Sequence, residues 1–332
     1  MIKVRQLKKY FSIRKGLFSG ANGDVKAVDD ISFNIPDGKT LGLVGESGCG
    51  KTTTGRTLLR LVPPTGGEFL LNGTSVFELS KREMFEMRRN MQIIFQDPYS
   101  SLDPRMTTGS IVEEAFIIHG IGRKKRRKDA VKDLFEMVGL PPSYIFRYPH
   151  ELSGGERQRI GIARAIALFA KGESATKPFS PFIVCDEPVS ALDVSIQAQI
   201  INLLEDLQER FNISYLFISH DLSVVRHISD EVAVMYLGRI VERAECDELF
   251  NNPLHPYTKA LLSAIPVPDP KTKRNKITLH GEAPSPLNPP PGCSFHPRCQ
   301  EANVVCKIRN PEMAEISPNH FVSCLIASGV WT

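Results

Sequence analysis

Nowhere in the 332 residues does an apolar run approach the ~18 residues that a membrane-spanning helix needs. The longest candidate, around Ile160 to Ala170, is broken by Arg164. An apolar leader is missing too: the N-terminus, MIKVRQLKKYF, carries charges where a signal peptide would have its hydrophobic stretch. Synthesis in the cytosol without export is therefore expected, with the seven cysteines reduced or metal-bound rather than paired as disulfides. A strong charge of one sign is also lacking. The 41 basic and 37 acidic residues leave a net charge of +4, too mild for a protein whose chief partner is nucleic acid. The densest basic run, Arg123 to Lys128, reads as a solvated helix start or loop. No low-complexity tract and no internal repeat is present. With 42% hydrophobic and 23% charged residues, the chain can fill one large α/β domain with an appendage, or two ordinary domains.

What is present is an α/β alternation. Short apolar runs at Leu41 to Val44, Phe182 to Cys185 and Tyr215 to Ile218 end in polar or glycine-rich turns and read as buried strands of a parallel sheet. Between them lie helical patterns. Val131, Leu134, Phe135 and Val138 recur at helical spacing before Gly139 and Pro141, and a second pattern runs through Ile200, Leu203, Leu204, Leu207 and Phe211. A helix-rich stretch from about Asp97 to Arg164 separates the first strand from the later ones. Beyond Ile265 a Pro- and Lys-containing linker leads into a Pro-rich tail, which places a domain boundary near residue 266.

Gly45-Glu46-Ser47-Gly48-Cys49-Gly50-Lys51-Thr52 fits the phosphate-loop pattern G-x-x-x-x-G-K-S/T. It follows a strand and opens a helix expected to reach about Leu61, the context the motif requires. The glycines let successive N–H groups turn toward phosphate oxygens, and the helix N-terminus adds partial positive charge. Lys51 then suits the β and γ phosphates and the Thr52 hydroxyl suits Mg²⁺; Thr53 follows in the first turn. Asp186 and Glu187 close the strand Phe182 to Cys185, at the sheet edge where open α/β folds bind ligands. Asp186 suits Mg²⁺, and Glu187 suits polarising the water that attacks the γ-phosphate.

Leu152-Ser153-Gly154-Gly155-Glu156, followed by Arg157-Gln158-Arg159, resembles the signature of ABC ATPases. Gln96 after Ile93-Ile94-Phe95 resembles the family's Q-loop, Ser190-Ala191-Leu192-Asp193 its D-loop, and His220 after Phe217-Ile218-Ser219 its switch histidine. The resemblance implies a P-loop NTPase with a RecA-like core, an antiparallel β subdomain and a helical subdomain at about 97–164. It further implies that Gln96 senses Mg²⁺ and water, that His220 contacts the γ-phosphate, and that Ser153, Gly154, Gly155 and Asp193 serve the nucleotide of an opposite subunit. Tyr10 is the candidate to stack on adenine, with Phe11 and Phe18 as substitutes. Relatives acting on ribosomes usually carry two fused ATPase domains and DNA-repair relatives pair the signature with CxxC zinc motifs; this chain shows neither. No nucleic-acid partner is expected.

Asp97-Pro98-Tyr99-Ser100-Ser101-Leu102-Asp103-Pro104, the hairpin Val232 to Val241 turning at Leu237-Gly238, and His255-Pro256-Tyr257-Thr258 resemble the ATPases of oligopeptide and dipeptide importers, the F-type subunit most of all. That resemblance implies a nucleotide-binding domain over 1–265 and a small Cys-rich C-terminal domain over 266–332. It implies a second ABC ATPase subunit, a heterodimer more than a homodimer, two membrane permease subunits, and an extracytoplasmic solute-binding protein reached indirectly. The chain would then sit peripherally at the cytoplasmic face of the membrane. Cys293, Cys299, Cys306 and Cys324, gathered in a short Pro-rich tail, read as metal ligands in a reducing cytosol. Spacing leaves zinc and iron–sulfur open, since no CxxC pair is present and His296 or His320 could replace one thiol; the resemblance implies a 4Fe–4S cluster. The stretch Phe169 to Pro181 is longer than the family's usual link and is expected to be a surface loop.

Overall fold

The computed structural model describes residues 1–14, 21–170, 180–265, 277–279 and 281–329. Phe18, most of the 169–181 stretch and the expected boundary at 266 lie outside the described residues. The chain divides into two compact units: one comprises Met1, 35–39 and 71–218, the other 2–34, 40–70 and 219–332.

In the first unit, strands Met91–Ile94, Phe182–Asp186 and Ser214–Ile218 run parallel, with Ile93 opposite Val184 and Val184 opposite Leu216. The last two strands are buried along their whole length, which is why their sequences are continuously apolar rather than alternating. Helix Gly154–Ala170 packs on strand Met91–Ile94, and helices Thr108–Ile118, Lys124–Met137 and Val194–Phe211 pack against that helix. Helix Lys124–Met137 buries Val131, Leu134 and Phe135. Its end is set by Gly139 at φ 72, where Gly139 N–H reaches the Glu136 carbonyl at 2.9 Å and Leu140 N–H reaches that of Phe135 at 2.8 Å, the paired bonds of a left-handed helix stop. The basic run falls on this helix's solvated start, and Arg127 pairs with Glu113 at 2.9 Å. The surface-loop expectation for 169–181 is corrected at both ends. Phe169 continues the helix and is buried, and Ser180 is buried with its hydroxyl on the Asn212 carbonyl.

The second unit holds strand Thr40–Val44 parallel to Glu231–Tyr236, with Leu43 opposite Ala233. Glu231–Tyr236 turns back into Arg239–Glu245. Leu237 at φ 42 and Gly238 at φ 80 make the two-residue turn that matches strand twist. The expected hairpin is therefore present. The helix after the phosphate loop spans Lys51–Leu58, shorter than expected, and the chain leaves it through Arg60 at φ 51. Strand His320–Val322 adds to the hairpin strand, Glu242 opposite Val322, and Ala314–Ser317 adds in turn. Strands Ala21–Ile35, Ile2–Arg14 and Gly66–Leu71 form a separate sheet in that order.

Glu242, fully buried, ties the C-terminal strand to the hairpin. Its carboxylate accepts the Leu254 and His255 backbone N–H groups at 2.7 and 2.9 Å and meets His320 Nε2 at 2.8 Å. Glu242→Leu strands two backbone donors and a buried imidazole, each costing about 1–3 kcal/mol. The expected result is a clearly lower thermal-unfolding midpoint, with Glu242→Gln in between. An unchanged midpoint in Glu242→Leu would deny the carboxylate this role.

Candidate functional site

Strand Thr40–Val44 is buried throughout and delivers the chain into the phosphate loop. Two loop glycines are dictated by space and backbone angle. A Cβ at Gly45 (φ 151) would lie 2.2 Å from the Met235 carbonyl oxygen, and one at Gly50 (φ 111) would lie 2.1 Å from that of Ala27. The loop thus lies directly on neighbouring backbone, a cradle that only glycine permits. Helix Lys51–Leu58 starts at Gly50 with no side-chain cap and no acidic residue in its first turn, leaving its positive end for an anion. Lys51 is 5% exposed, and its ammonium donates to the Gly45 and Glu46 carbonyls at 2.7 and 3.0 Å. Cys49 is buried under the loop, which pushes its thiol pKa up although Lys51 opposes the shift. The Cys49 carbonyl accepts the Gly238 N–H of the hairpin turn at 2.9 Å. Ser47 and Gly48 are exposed, and Thr52 and Thr53 are half-buried in the first helical turn.

Tyr257, from the His255-Pro256-Tyr257-Thr258 stretch, and Arg298 in the tail converge on Glu46, the second residue of the loop. The Tyr257 hydroxyl accepts its backbone N–H at 2.8 Å, and Arg298 makes two bonds to its carboxylate at 2.7 and 3.0 Å.

Tyr10 lies half-buried on strand Ile2–Arg14, its hydroxyl donating to Asp29. Asp29 also pairs with Arg239 at 2.7 Å. Burial, aided by the Asp29 bond, pushes the Tyr10 hydroxyl pKa up to about 12. The Lys26 ammonium sits 5.7 Å from the ring centroid. Phe11 is exposed with Lys9 against its ring. His220 is exposed, directly after Ser219, whose N–H reaches the Leu43 carbonyl of the strand that feeds the loop.

In the other unit, Asp186 is buried at the C-terminal end of its strand, and Glu187 follows in a left-handed conformation at φ 50. The Glu187 N–H is held by the Ile218 carbonyl at 2.9 Å, and its carboxylate accepts Gln96 Nε2 at 2.9 Å. Gln96 and Glu187, 91 residues apart in sequence, are thus brought together. Beyond Gln96, the Arg157 guanidinium lies 3.6 Å from the centre of the Tyr99 ring, and Arg164 donates to the Ser101 carbonyl at 2.7 Å. Both arginines belong to the helix that opens with the Ser153-Gly154-Gly155 stretch. Ser153 and Glu156 cap that helix reciprocally, Ser153 N–H to the carboxylate at 2.8 Å and Glu156 N–H to the hydroxyl at 3.3 Å. The Ser153 backbone bond heads the causes that hold the Glu156 carboxyl below its ordinary range. A Cβ at Gly155 would come within 2.6 Å of Ile196, so the glycine lets the start of helix Val194–Phe211 approach. Asp193 is exposed just before that helix, while Gln197 donates to the Val189 and Leu192 carbonyls and fixes the 190–193 turn.

The expected metal site in the tail is corrected. Among the described residues, no three His, Cys, Asp or Glu side chains are placed to hold a metal ion. All seven cysteines are free. Cys293 and Cys299 flank the short helix His296–Arg298, Cys306 lies within Val305–Lys307 and its carbonyl accepts the Cys293 N–H at 2.8 Å, and Cys324 follows strand His320–Val322. Burial pushes the Cys293 and Cys299 thiols up to about 11. The two histidines are otherwise engaged, His296 with the Cys293 carbonyl and His320 with Glu242. The 4Fe–4S reading is therefore withdrawn, and no zinc site is shown among the described residues.

A phosphate loop on a buried parallel strand, a strand-end Asp-Glu pair bonded to an upstream glutamine, and a capped Ser-Gly-Gly helix start define an ATP-binding cassette. The ABC transporter family model matches residues 28–173, and that of the oligopeptide/dipeptide transporter C-terminal region matches 241–306. The oligopeptide transport ATP-binding protein AppF of Bacillus subtilis (strain 168) is 54% identical over 331 residues, covering 99% of this chain and 98% of that one. A putative peptide import ATP-binding protein of Brucella ovis is 51% identical, over 98% of this chain and 97% of its own. Among solved structures, the dimeric post-hydrolysis state of the ATP-binding cassette MJ0796 bound to ADP and Pi is similar, with a TM-score of 0.63 and 25% identity. That likeness covers 74% of this chain and 99% of MJ0796. The chain belongs to the ATP-binding subunits of the oligopeptide/dipeptide ABC transporter family.

Proposed function

We infer that this chain binds and hydrolyses ATP to energise import of dipeptides or oligopeptides through separate membrane permease subunits. The observation that carries the ATPase half is the phosphate loop, with glycines pressed on backbone, an uncapped helix N-terminus and the buried Lys51 ammonium facing its own carbonyls. Full-length likeness to peptide-transport ATP-binding proteins supports the cargo class. Among the described residues no helix is long and apolar enough to cross a membrane, which fits a subunit bound peripherally at the cytoplasmic face.

Lys51 and the loop amides Gly45 to Gly50 would bind the β and γ phosphates, and Tyr10 would bear on the adenine. Thr52 and Asp186 would hold Mg²⁺, with Gln96 close to its water; bound there, the ion would draw negative charge from the phosphate oxygens. Glu187 orients and deprotonates the attacking water, and its bond from Gln96 keeps one carboxylate oxygen fixed. His220 steadies the γ-phosphate. We read 1–265 as the nucleotide-binding part and 266–332 as a C-terminal importer-type region. The second ATPase subunit, a related chain rather than a second copy, receives Ser153, Gly154, Gly155 and Asp193 at its nucleotide. The exposure of Ser153 and Asp193 supports a role toward a second cassette, as does the dimeric state of MJ0796; the heterodimer rests on the family resemblance, with a homodimer as the alternative.

A chain that completes its partner's site should hydrolyse ATP slowly alone. Specific activity is expected to rise with protein concentration, or with added partner subunit, because assembly positions the γ-phosphate and excludes water. Specific activity indifferent to both would mean that each chain works by itself.

A further inference from the structure

Glu46 places a carboxylate inside a loop built to receive phosphate, where an unpaired negative charge would repel the ligand. Arg298 meets it in a two-pronged pair, Nη1 to Oε2 at 2.7 Å and Nη2 to Oε1 at 3.0 Å, a geometry that fixes direction as well as charge. The arginine side chain is 8% exposed and that of Glu46 31%, so water screens the pair weakly. Arg298 is itself held rigidly. Its short helix, His296–Arg298, follows Phe295, which is buried edge-on against Tyr236 at 5.3 Å and beside Tyr257 and His255 at 5.4 and 5.5 Å. Burial drives the His255 pKa down to about 3, so this aromatic cluster adds no competing charge near neutral pH. Tyr257, from the same cluster, takes the Glu46 backbone N–H. Residues 252 positions apart in the chain therefore fix both the backbone and the side chain of one loop residue.

We propose that Arg298 is a positioning residue for the phosphate loop, turning the Glu46 carboxylate away from bound ATP and cancelling its charge. The proposal rests on the ATP-binding reading above. It makes the C-terminal region part of the nucleotide site's support, with ATP affinity as its output.

The test is equilibrium binding of ATP to the full-length chain, with kcat and KM measured in the assembled transporter and thermal midpoints recorded for each variant. Arg298→Met is expected to weaken ATP binding and raise KM about tenfold, with kcat within about twofold, a change equivalent to about 1.4 kcal/mol. Adding Glu46→Gln to Arg298→Met removes the stranded charge and should bring affinity back to within about threefold of wild type. Arg298→Met that binds ATP as wild type does overturns the proposal. So does a double variant as weak as the single one, since a purely structural arginine would not be rescued by neutralising Glu46. Wild-type chain that binds no ATP would overturn the ATPase reading and this proposal together, whereas tight wild-type binding with an indifferent Arg298→Met sinks the proposal alone.

Discussion

In the assembled transporter, Glu187→Gln is expected to lower ATP turnover by at least about a hundredfold while leaving ATP affinity within about threefold, the scale of a lost general base. The substitution is nearly isosteric. Gln96 can donate to an amide oxygen as it does to Glu187 Oε2, and the Glu187 N–H bond to Ile218 does not depend on the side chain. Geometry is thus kept and only basicity is removed, so the loss should fall on kcat. The comparison is with the same assembly carrying the unaltered chain, by phosphate release for turnover and retained nucleotide for binding. Turnover equal to the unaltered assembly would remove Glu187 from this role.

Lys51→Ala should fail in the opposite way, by losing ATP itself. Lys51, 5% exposed, carries the positive charge that the loop holds against its own carbonyls, and charge-assisted bonds of this kind contribute about 1.5–3 kcal/mol each. Affinity is expected to fall by about tenfold to more than a hundredfold. Nucleotide titration of the full-length chain checks this. Unchanged affinity in Lys51→Ala, beside a wild type that binds ATP, would mean that the phosphates are held elsewhere.

Much of this was legible because it is local. Buried parallel strands are continuous apolar runs, so Leu41 to Val44, Phe182 to Cys185 and Tyr215 to Ile218 could be read directly. The Leu237-Gly238 turn carries its own backbone chemistry. The Gln96–Glu187 bond spans 91 residues but was reachable because each partner sits in a recognisable local motif. Arg298 and Tyr257 carry no such signal. Their target at Glu46 is set by how a distant segment folds back, and nothing in Pro297-Arg298 states where that arginine lands. The cysteines failed for a related reason. Spacing in an irregular, Pro-rich tail does not state the side-chain geometry that a metal needs, and among the described residues no three such ligands are placed to hold an ion. The helix after the loop ended early because Arg60 adopts a left-handed turn that its residue type does not advertise.

The phosphate loop is anchored from outside itself at several points: Cys49 to the Gly238 turn, Glu46 to Tyr257 and Arg298, and Gly45 and Gly50 against the Met235 and Ala27 backbone. Fixing backbone costs about 1–2 kcal/mol of conformational entropy per residue. For a stretch the length of Gly45 to Thr52, that amounts to roughly 10 kcal/mol met once, during folding, rather than at each encounter with nucleotide. A free loop of the same sequence would have to draw that ordering from its contacts with ATP at every turnover. Here the contacts are left to set affinity, and a subunit that must bind and release nucleotide repeatedly does so without folding and unfolding its own site.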